Sequence, residues 1–427
     1  MVKKLQEHVF AGCKFPGRHR IGEILVELER QQKCRKDLVI ASDKLRMRVC
    51  DGEFLLIVPV PKREPLMVPL SNRAHVQLAQ RVGLPMRTRL YYWLARGTQN
   101  PDGKNGVKQA KRNWDVWANL VNAYLEREKN NMLVRLLDTV DGHTYCRALL
   151  SDQYKIVPNS DFFYAIVEKV KEAGAEIWHA RLSEDKFYGY AVAPHISGKV
   201  STDRSFDPGD GWRSRWHGKE GDVLNAAMAF GNSETGEGGI FISHAILRRI
   251  CENYCVWHDV MARTHIGKKQ AADVMLSAET IAKQNEVFFM KVGDYVKGTF
   301  DAEVFQQMIN QLDGATHDEV RDPEQAANAL QLVYDLGEER KAVIRNMFIR
   351  DMDNSRYGLI NAVTRYAHEH EADPDKGFDL EKLARDLAYS DMDSLYKKAA
   401  KVEKSTKQEA FAAAAVGSGN ELDDLLP

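Results

Sequence analysis

The sequence predicts an α+β protein: a central strand-rich sheet with a backing helix, a basic N-terminal strand and helix region, and a mostly helical, acidic C-terminal region. Three observations predict it. Short apolar runs broken by turn residues fill the middle of the chain, and helix-spaced apolar residues dominate the last third. Charge is also unevenly spread: residues 1–150 hold 27 Lys+Arg against 15 Asp+Glu, whereas residues 301–427 hold 15 against 26, within a formal net charge of -1. At 427 residues and 44% hydrophobic content the chain can bury a sizeable core and form two or three structural units. Four regions are expected: a basic N-terminal region at 1–130, the α+β sheet core at 131–245, a helical region at 246–405 and a disordered acidic tail at 406–427.

Residues 1–65 read as short strands, with KLRMRVCDGEFLLIVPVP forming a hairpin about Asp51 and Gly52. Ser71 caps a helix through Ala74, Leu78 and Val82 that Gly83 and Pro85 terminate. A second helical stretch carries Arg87, Arg89, Tyr91, Tyr92, Trp93 and Arg96, and a third, after KQAKR, spaces Trp114, Trp117, Val121 and Tyr124 as core. VRLLDT and TYCRALLS form strands about a turn at Val140, Asp141 and Gly142. A helix then starts near Asn159 or Ser160 and closes at Gly174, with Phe163, Ile166, Val167 and Val170 as its buried stripe. AEIWHARL and KFYGYAVAP are further strands, and GDVLNAAMAFGNSETGEGGIFISHA is a hairpin with a polar tip at 231–239. From Ala245 onward nearly everything reads as helical.

No run of eighteen apolar residues occurs, and MVKKLQEHVFAGCKF lacks the apolar core of a signal peptide, so a cytoplasmic protein without membrane partners is expected. The six cysteines, Cys13, Cys34, Cys50, Cys146, Cys251 and Cys255, are sparse and are expected to be reduced. A basic front suits a polyanion, and the acidic rear would be repelled from it or would recruit a basic partner.

Two segments mix flat rings with cations, the combination that unpaired nucleic acid rewards: bases stack on aromatic faces while cations neutralise phosphates, without a fixed base sequence. In GWRSRWHGK these are Trp212, Arg213, Arg215, Trp216 and Lys219; near the front they are Arg87, Arg89, Tyr92, Trp93 and Arg96, followed by Lys108, Lys111 and Arg112. Arg147, Lys155, Arg263, Lys268 and Lys269 complete the expected contact set, with Arg147 and Lys155 near the groove. Cys251, Cys255 and His258 share one face of a helix, but that face also carries Tyr254, so buried thiols explain them better than zinc. Glu234 with Glu237, or Asp351 with Asp353, offers carboxylates for a metal-dependent nuclease, although no His or Lys partner is placed beside them. GNSETGEGG lacks the Gly-Lys-Ser/Thr ending of a phosphate-binding loop, and neither GxGxxG nor GxSxG occurs in context, so no catalytic residue, cofactor or metal is assigned. The terminal acidic-apolar run, with Asp423, Asp424, Leu425 and Leu426, is similar to the partner-recruiting tip of bacterial and phage single-stranded-DNA-binding proteins.

Four separated segments, VPLSNRAHVQLAQRVGLP, RALLSDQYKIVPN, GNSETGEGGIFIS with RRICENYCVWHD, and YGLINAVTRYAHEH, resemble the phage/plasmid-like protein family labelled as a domain of unknown function. The likeness lies in Arg147, Leu150, Ser151, Asp152, Tyr154, Asn159, Ser233, Gly236, Cys251, Asn253, His265, Gly267, Asn361, Ala362, Thr364 and Tyr366; Tyr254 stands where the family often has Gly. The resemblance implies a mobile-element protein. The order of strand, hairpin and helix is similar to phage single-strand-annealing recombinases, which implies strand binding in a basic groove, a ring-forming homo-oligomer and no catalytic residue. The expectation is therefore a single-stranded DNA-binding or annealing protein of phage or plasmid DNA metabolism, with a host or phage replication or recombination protein as a tail partner. The alternatives are a non-enzymatic interaction factor, such as a host-defence antagonist, and the nuclease.

Overall fold

The computed structural model describes residues 21–50, 53–85, 114–201, 222–249, 252–263, 265, 278–351 and 353–417. Among these residues three antiparallel sheets and eleven α-helices make an α+β fold. The chain opens with α1 (Ile21–Cys34), β1 (Arg35–Ala41), β2 (Arg46–Cys50), β3 (Glu53–Val58), β4 (Leu66–Pro69) and α2 (Asn72–Arg81). It continues with α3 (Trp114–Glu128), β5 (Asn131–Asp138), β6 (Thr144–Ser151), α4 (Asn159–Glu172), β7 (Glu176–Leu182) and β8 (Phe187–Val200). Then follow β9 (Asp222–Asn232), β10 (Ile240–Arg248), β11 (Asn253–Arg263), α5 (Ala278–Thr299), α6 (Ala302–Thr316), α7 (Pro323–Tyr334), α8 (Glu338–Asp351), α9 (Arg356–Glu369), α10 (Pro374–Tyr389) and α11 (Met392–Gly417).

The front half builds on two small sheets, β2-β3-β4 and β1-β5-β6, that share a core of Leu45, Met47, Leu56, Val58, Leu78, Val121, Leu125, Val134 and Leu149 with α2 and α3. β1 pairs with β5 from Arg35 opposite Leu137 to Ala41 opposite Asn131, so the expected boundary at residue 130 falls between strands of one sheet. Ser71 caps α2 as its sequence position predicts, its hydroxyl accepting from Ala74 N at 3.0 Å. The same hydroxyl donates to Arg147 O at 2.7 Å, tying the helix start to β6. Ser71→Ala is expected to cost about 1 kcal/mol or somewhat more, read by chemical denaturation, because both bonds vanish.

The larger half is a five-stranded meander in the order β11-β10-β9-β8-β7. Strand alternation sends Phe187, Ala191, Met228 and Phe230 to one face, where Phe162 and Phe163 of α4 pack edge-on to Phe230 and Phe187. Tyr188, Tyr190, Ala229 and Tyr254 point to the other face, with Phe378 of α10. Gly189 lies opposite Phe230, and a Cβ there would come within 2.1 Å of the ring. Only glycine lets that ring lie against the neighbouring backbone.

Three expectations are corrected. Where short strands are read before residue 35, the chain forms α1, whose Ile24, Glu27, Leu28 and Gln31 are buried at helical spacing. Residues 246–248 and 253–263 are sheet rather than helix: β10 runs past Ala245 to Arg248, and β11 forms the second stretch. Over residues 253–257 both faces of β11 are covered, so 254–257 form a continuous apolar run instead of an alternating one, which periodicity alone does not separate from a buried helix. In the strand Cys255 is buried in the core and His258 is exposed, so the helical face expected to carry them is not formed; Cys251 lies outside the described residues. Finally, α11 continues through the alanine run to Gly417, so the helix replaces the expected tail at 406–417; alanine is the strongest helix former.

Candidate functional site at the hairpin tip

The tip between β9 and β10 is held from every side. Ser233 Oγ donates to Asp185 O at 2.9 Å, and Thr235 Oγ1 donates to Asp185 O and Oδ1 at 3.1 and 3.0 Å. Gln77 Nε2 of α2 donates to Thr235 O at 2.6 Å, and Tyr154 OH donates to Ser233 O at 2.7 Å. Gly236 has a φ of +78°, and a Cβ there would come within 2.6 Å of Leu150 Cδ2. The left-handed backbone and the close approach both require glycine.

Glu234 is the hub. Arg135 donates to its backbone carbonyl and, through Nη2, to its carboxylate at 3.2 Å, and Arg147 Nη1 lies 3.6 Å away. Asn159 N donates to Glu234 Oε1 at 2.7 Å, so this carboxylate stands in for the side-chain cap that Pro158, preceding α4, lacks. Burial alone would raise the Glu234 pKa, but the two guanidiniums outweigh it and hold the carboxyl below its ordinary value. Arg135 also donates to Asp37 Oδ1 at 2.8 Å, and Arg147 donates to Gln31 Oε1 at 3.1 Å and Glu184 O at 2.9 Å. Beside them, burial first and then the charge of Asp185 push the Glu184 carboxyl up to about 8; its Oε1 is buried and accepts no hydrogen bond.

This geometry corrects the expectation for Arg147. It is 4% exposed and turned inward to neutralise Glu234, so it belongs to the interior of the joint rather than to a groove. The carboxylates suggested for a nuclease are likewise engaged: Glu234 by Arg135 and Arg147, Glu237 by Arg73, Asp351 by Arg365, while Asp353 accepts from Ser355. Among the described residues no three His, Cys, Asp or Glu side chains are grouped to hold a metal ion.

On the outer side of the tip lies a cleft of about 610 Å³ lined by Gln77, Arg81, Leu150, Tyr154, Glu237 and His265 among others. The Tyr154 and His265 rings stack with centroids 4.8 Å apart and planes 22° from parallel. Their positions are locked by the backbone: Lys155 N donates to His265 O at 2.7 Å, and His265 Nδ1 lies 2.9 Å from Lys155 O. Lys155 is half-buried beside this stack. Arg81 donates to Leu149 O at 2.9 Å, and burial lowers its pKa despite the nearby charge of Asp152.

Of the other expected contacts, Arg263 ends β11, whereas Arg87, Arg89, Tyr92, Trp93, Arg96, Lys108, Lys111, Arg112, Trp212, Arg213, Arg215, Trp216, Lys219, Lys268 and Lys269 lie outside the described residues. So do Asp423, Asp424, Leu425 and Leu426. Residues 86–113 continue from α2, and 266–277 continue from His265 itself, so both adjoin this cleft in the chain. Residues 202–221 lie between β8 and β9 in the chain. Sequence reasoning missed Arg135, Gln77 and Glu184. Arg135 carried a signal, a lone cation inside the apolar strand VRLLD.

Fold and site define an α+β protein in which a glycine-rich hairpin tip docks, through buried ion pairs, into a second sheet unit. No protein-family model, curated protein or solved structure matches the chain. Among the described residues no helix is long and apolar enough to cross a membrane.

Proposed function

We propose that this chain binds single-stranded DNA, to anneal or protect it, in phage or plasmid DNA metabolism. The observation that carries the reading is the Tyr154–His265 stack on the cleft wall, from which two segments rich in cations continue in sequence. Aromatic faces together with cations suit unpaired bases and their phosphates, and neither needs a reacting residue. The basic front half supports the same reading, as does the acidic rear half, which would keep a strand to one side. Annealing would place the protein as a homo-oligomer on the strand, with the terminal acidic-apolar run free for a replication or recombination partner.

The test is fluorescence anisotropy with single- and double-stranded oligonucleotides at two salt concentrations, followed by sizing of the complex. Log affinity is expected to fall linearly with log salt, and Lys268→Ala with Lys269→Ala, in the segment that follows His265, is expected to weaken all sequences alike and to shallow that slope by roughly one to two. Salt-independent binding, or a double variant that binds as the native chain does, would overturn the proposal. A pull-down that survives nuclease treatment would favour a protein partner instead.

A further inference from the structure

Helix α5 is buried on one side and bare on the other. Phe288, Val292 and Val296 lie in the core, where the helix packs on β9, β10 and β11. Helix α4 runs alongside it, with the Lys169 side chain over Gly293 and Glu172 3.9 Å from Lys297. The bare side carries Lys283, Val287, Met290, Asp294 and Lys297, all of them exposed. These positions are four, three, four and three residues apart, and at about 100° per residue they fall into one stripe about four turns long. That alternation is the seam along which one helix packs on another. Its centre is apolar, Val287 being 48% and Met290 60% exposed, so no element among the described residues covers it.

Charge indicates what does. The apolar centre is bracketed by a cation on one side, Lys283, and an anion on the other, Asp294. Lys283 meets Glu286 at 3.0 Å in a pair open to solvent, which is worth little. Asp294 forms no ion pair among the described residues, although Lys169 is near enough to feel its charge. A second copy laid antiparallel, about a two-fold axis level with the peptide bond between Phe288 and Phe289, sets Val287 against Met290 of that copy and Lys283 against Asp294 of that copy. Symmetry makes each pair twice. Laid parallel and in register, the same stripe would set Lys283 against Lys283 and Asp294 against Asp294, and like charges repel. The stripe is therefore complementary to itself reversed, which is what an isologous contact requires.

We propose that the outer face of α5 is the contact of a two-fold dimer of this chain, paired antiparallel along Lys283, Val287, Met290 and Asp294. One pair of helices of this length buries less than a standard interface, so the dimer dissociates in the micromolar range and fills where copies are concentrated. A two-fold contact closes at two copies, and a ring would need a second, different contact. The inference stands on this helix face and does not rest on the strand-binding proposal.

Sedimentation velocity of the full chain from about 1 to 200 µM, without nucleic acid, decides it. The native chain is expected to pass from monomer to dimer across that range. Met290→Asp sets a carboxylate against Val287 of the other copy and is expected to weaken the dimer about tenfold or more, with unchanged melting because the side chain is exposed. Lys283→Glu and Asp294→Lys each turn both charge pairs repulsive, and each is expected to weaken it about tenfold. Combining the two substitutions in one chain is expected to restore the native affinity, and so is an equimolar mixture of the two single variants, in which each copy meets the opposite charge on the other. A chain that stays monomeric throughout the range overturns the inference. So does a dimer that Met290→Asp and the single charge variants leave intact, or one that neither the combined variant nor the mixture restores. Should Met290→Asp fail to fold, the charge variants at their exposed positions decide alone. A dimer in a chain without affinity for oligonucleotides keeps this inference and removes the strand-binding proposal, and a chain that binds strands while remaining monomeric does the reverse.

Discussion

Glu234→Ala is expected to destabilise the protein by about 3–5 kcal/mol. The residue sits in a nine-residue glycine-containing turn region that reads as surface, yet its carboxylate is buried against Arg135 and Arg147. Removing it takes the carboxylate away from two buried guanidiniums, of which Arg135 retains Asp37, and strips the Asn159 amide at the start of α4 of its acceptor. Arg135 keeps Asp37 at 2.8 Å, so Arg147 is the group left more exposed to the loss. Equilibrium denaturation of the native chain and of Glu234→Ala and Glu234→Gln checks this. A change below about 1 kcal/mol for Glu234→Ala would mean that the ion pairs do not join the two halves. Glu234→Gln, which keeps an acceptor for Asn159 but not the charge, is expected to fall between.

Raising the pH from 5 to 9 is expected to weaken the same joint through Glu184. Its carboxyl titrates near 8 in the folded chain and near 4.5 when unfolded, because burial and the adjacent Asp185 disfavour its charge. Below about 4.5 it is protonated in both states and contributes no pH dependence. Between the two values the folded chain holds a proton that the unfolded chain has released, so stability declines as pH rises, by at most about 1.4 kcal/mol per pH unit. Above about 8 the carboxylate is charged in both states and the loss is complete. Glu184→Gln is expected to flatten this decline, leaving the variant more stable than the native chain at pH 9 and nearly equal to it at pH 5. Denaturation midpoints at pH 5, 7 and 9 check it; a difference between native and variant that does not grow with pH would reject it. Glu234 works in the other direction: its lowered pKa contributes stability that is present above about 4.5 and is lost as the solution is acidified below that value.

Much of the fold was legible in the chain because it is locally encoded. The turn at Val140, Asp141 and Gly142, the Ser71 cap, the stop at Gly174 and the strands on either side of the 231–239 tip all follow from backbone preferences of a few neighbouring residues. The failures share a cause. β11 looked helical because residues 253–257 are covered on both faces, and a stretch without a solvent face loses its alternation. Helix α1 was hidden because its buried side includes Glu27 and Gln31, polar residues whose burial depends on partners such as Arg30 and Arg147.

The site divides in the same way. Tyr154, Ser233, Gly236 and His265 were each visible as distinctive residues, yet that they meet at one tip is a fact of three-dimensional packing. Arg147 shows the limit: as a cation near a strand end it read as a phosphate contact, and only its proximity to Glu234, across 87 residues of chain, turns it into a buried counter-charge. Composition and local periodicity by themselves determined the α+β class, the charge asymmetry and many of the elements between Ser71 and the 231–239 tip, since these depend on side-chain chemistry summed along short windows. Which cations face water and which face a buried carboxylate, and that a cleft flanks the glycine-rich tip, were decided by the tertiary structure alone, because burial and pairing depend on contacts that sequence distance does not measure.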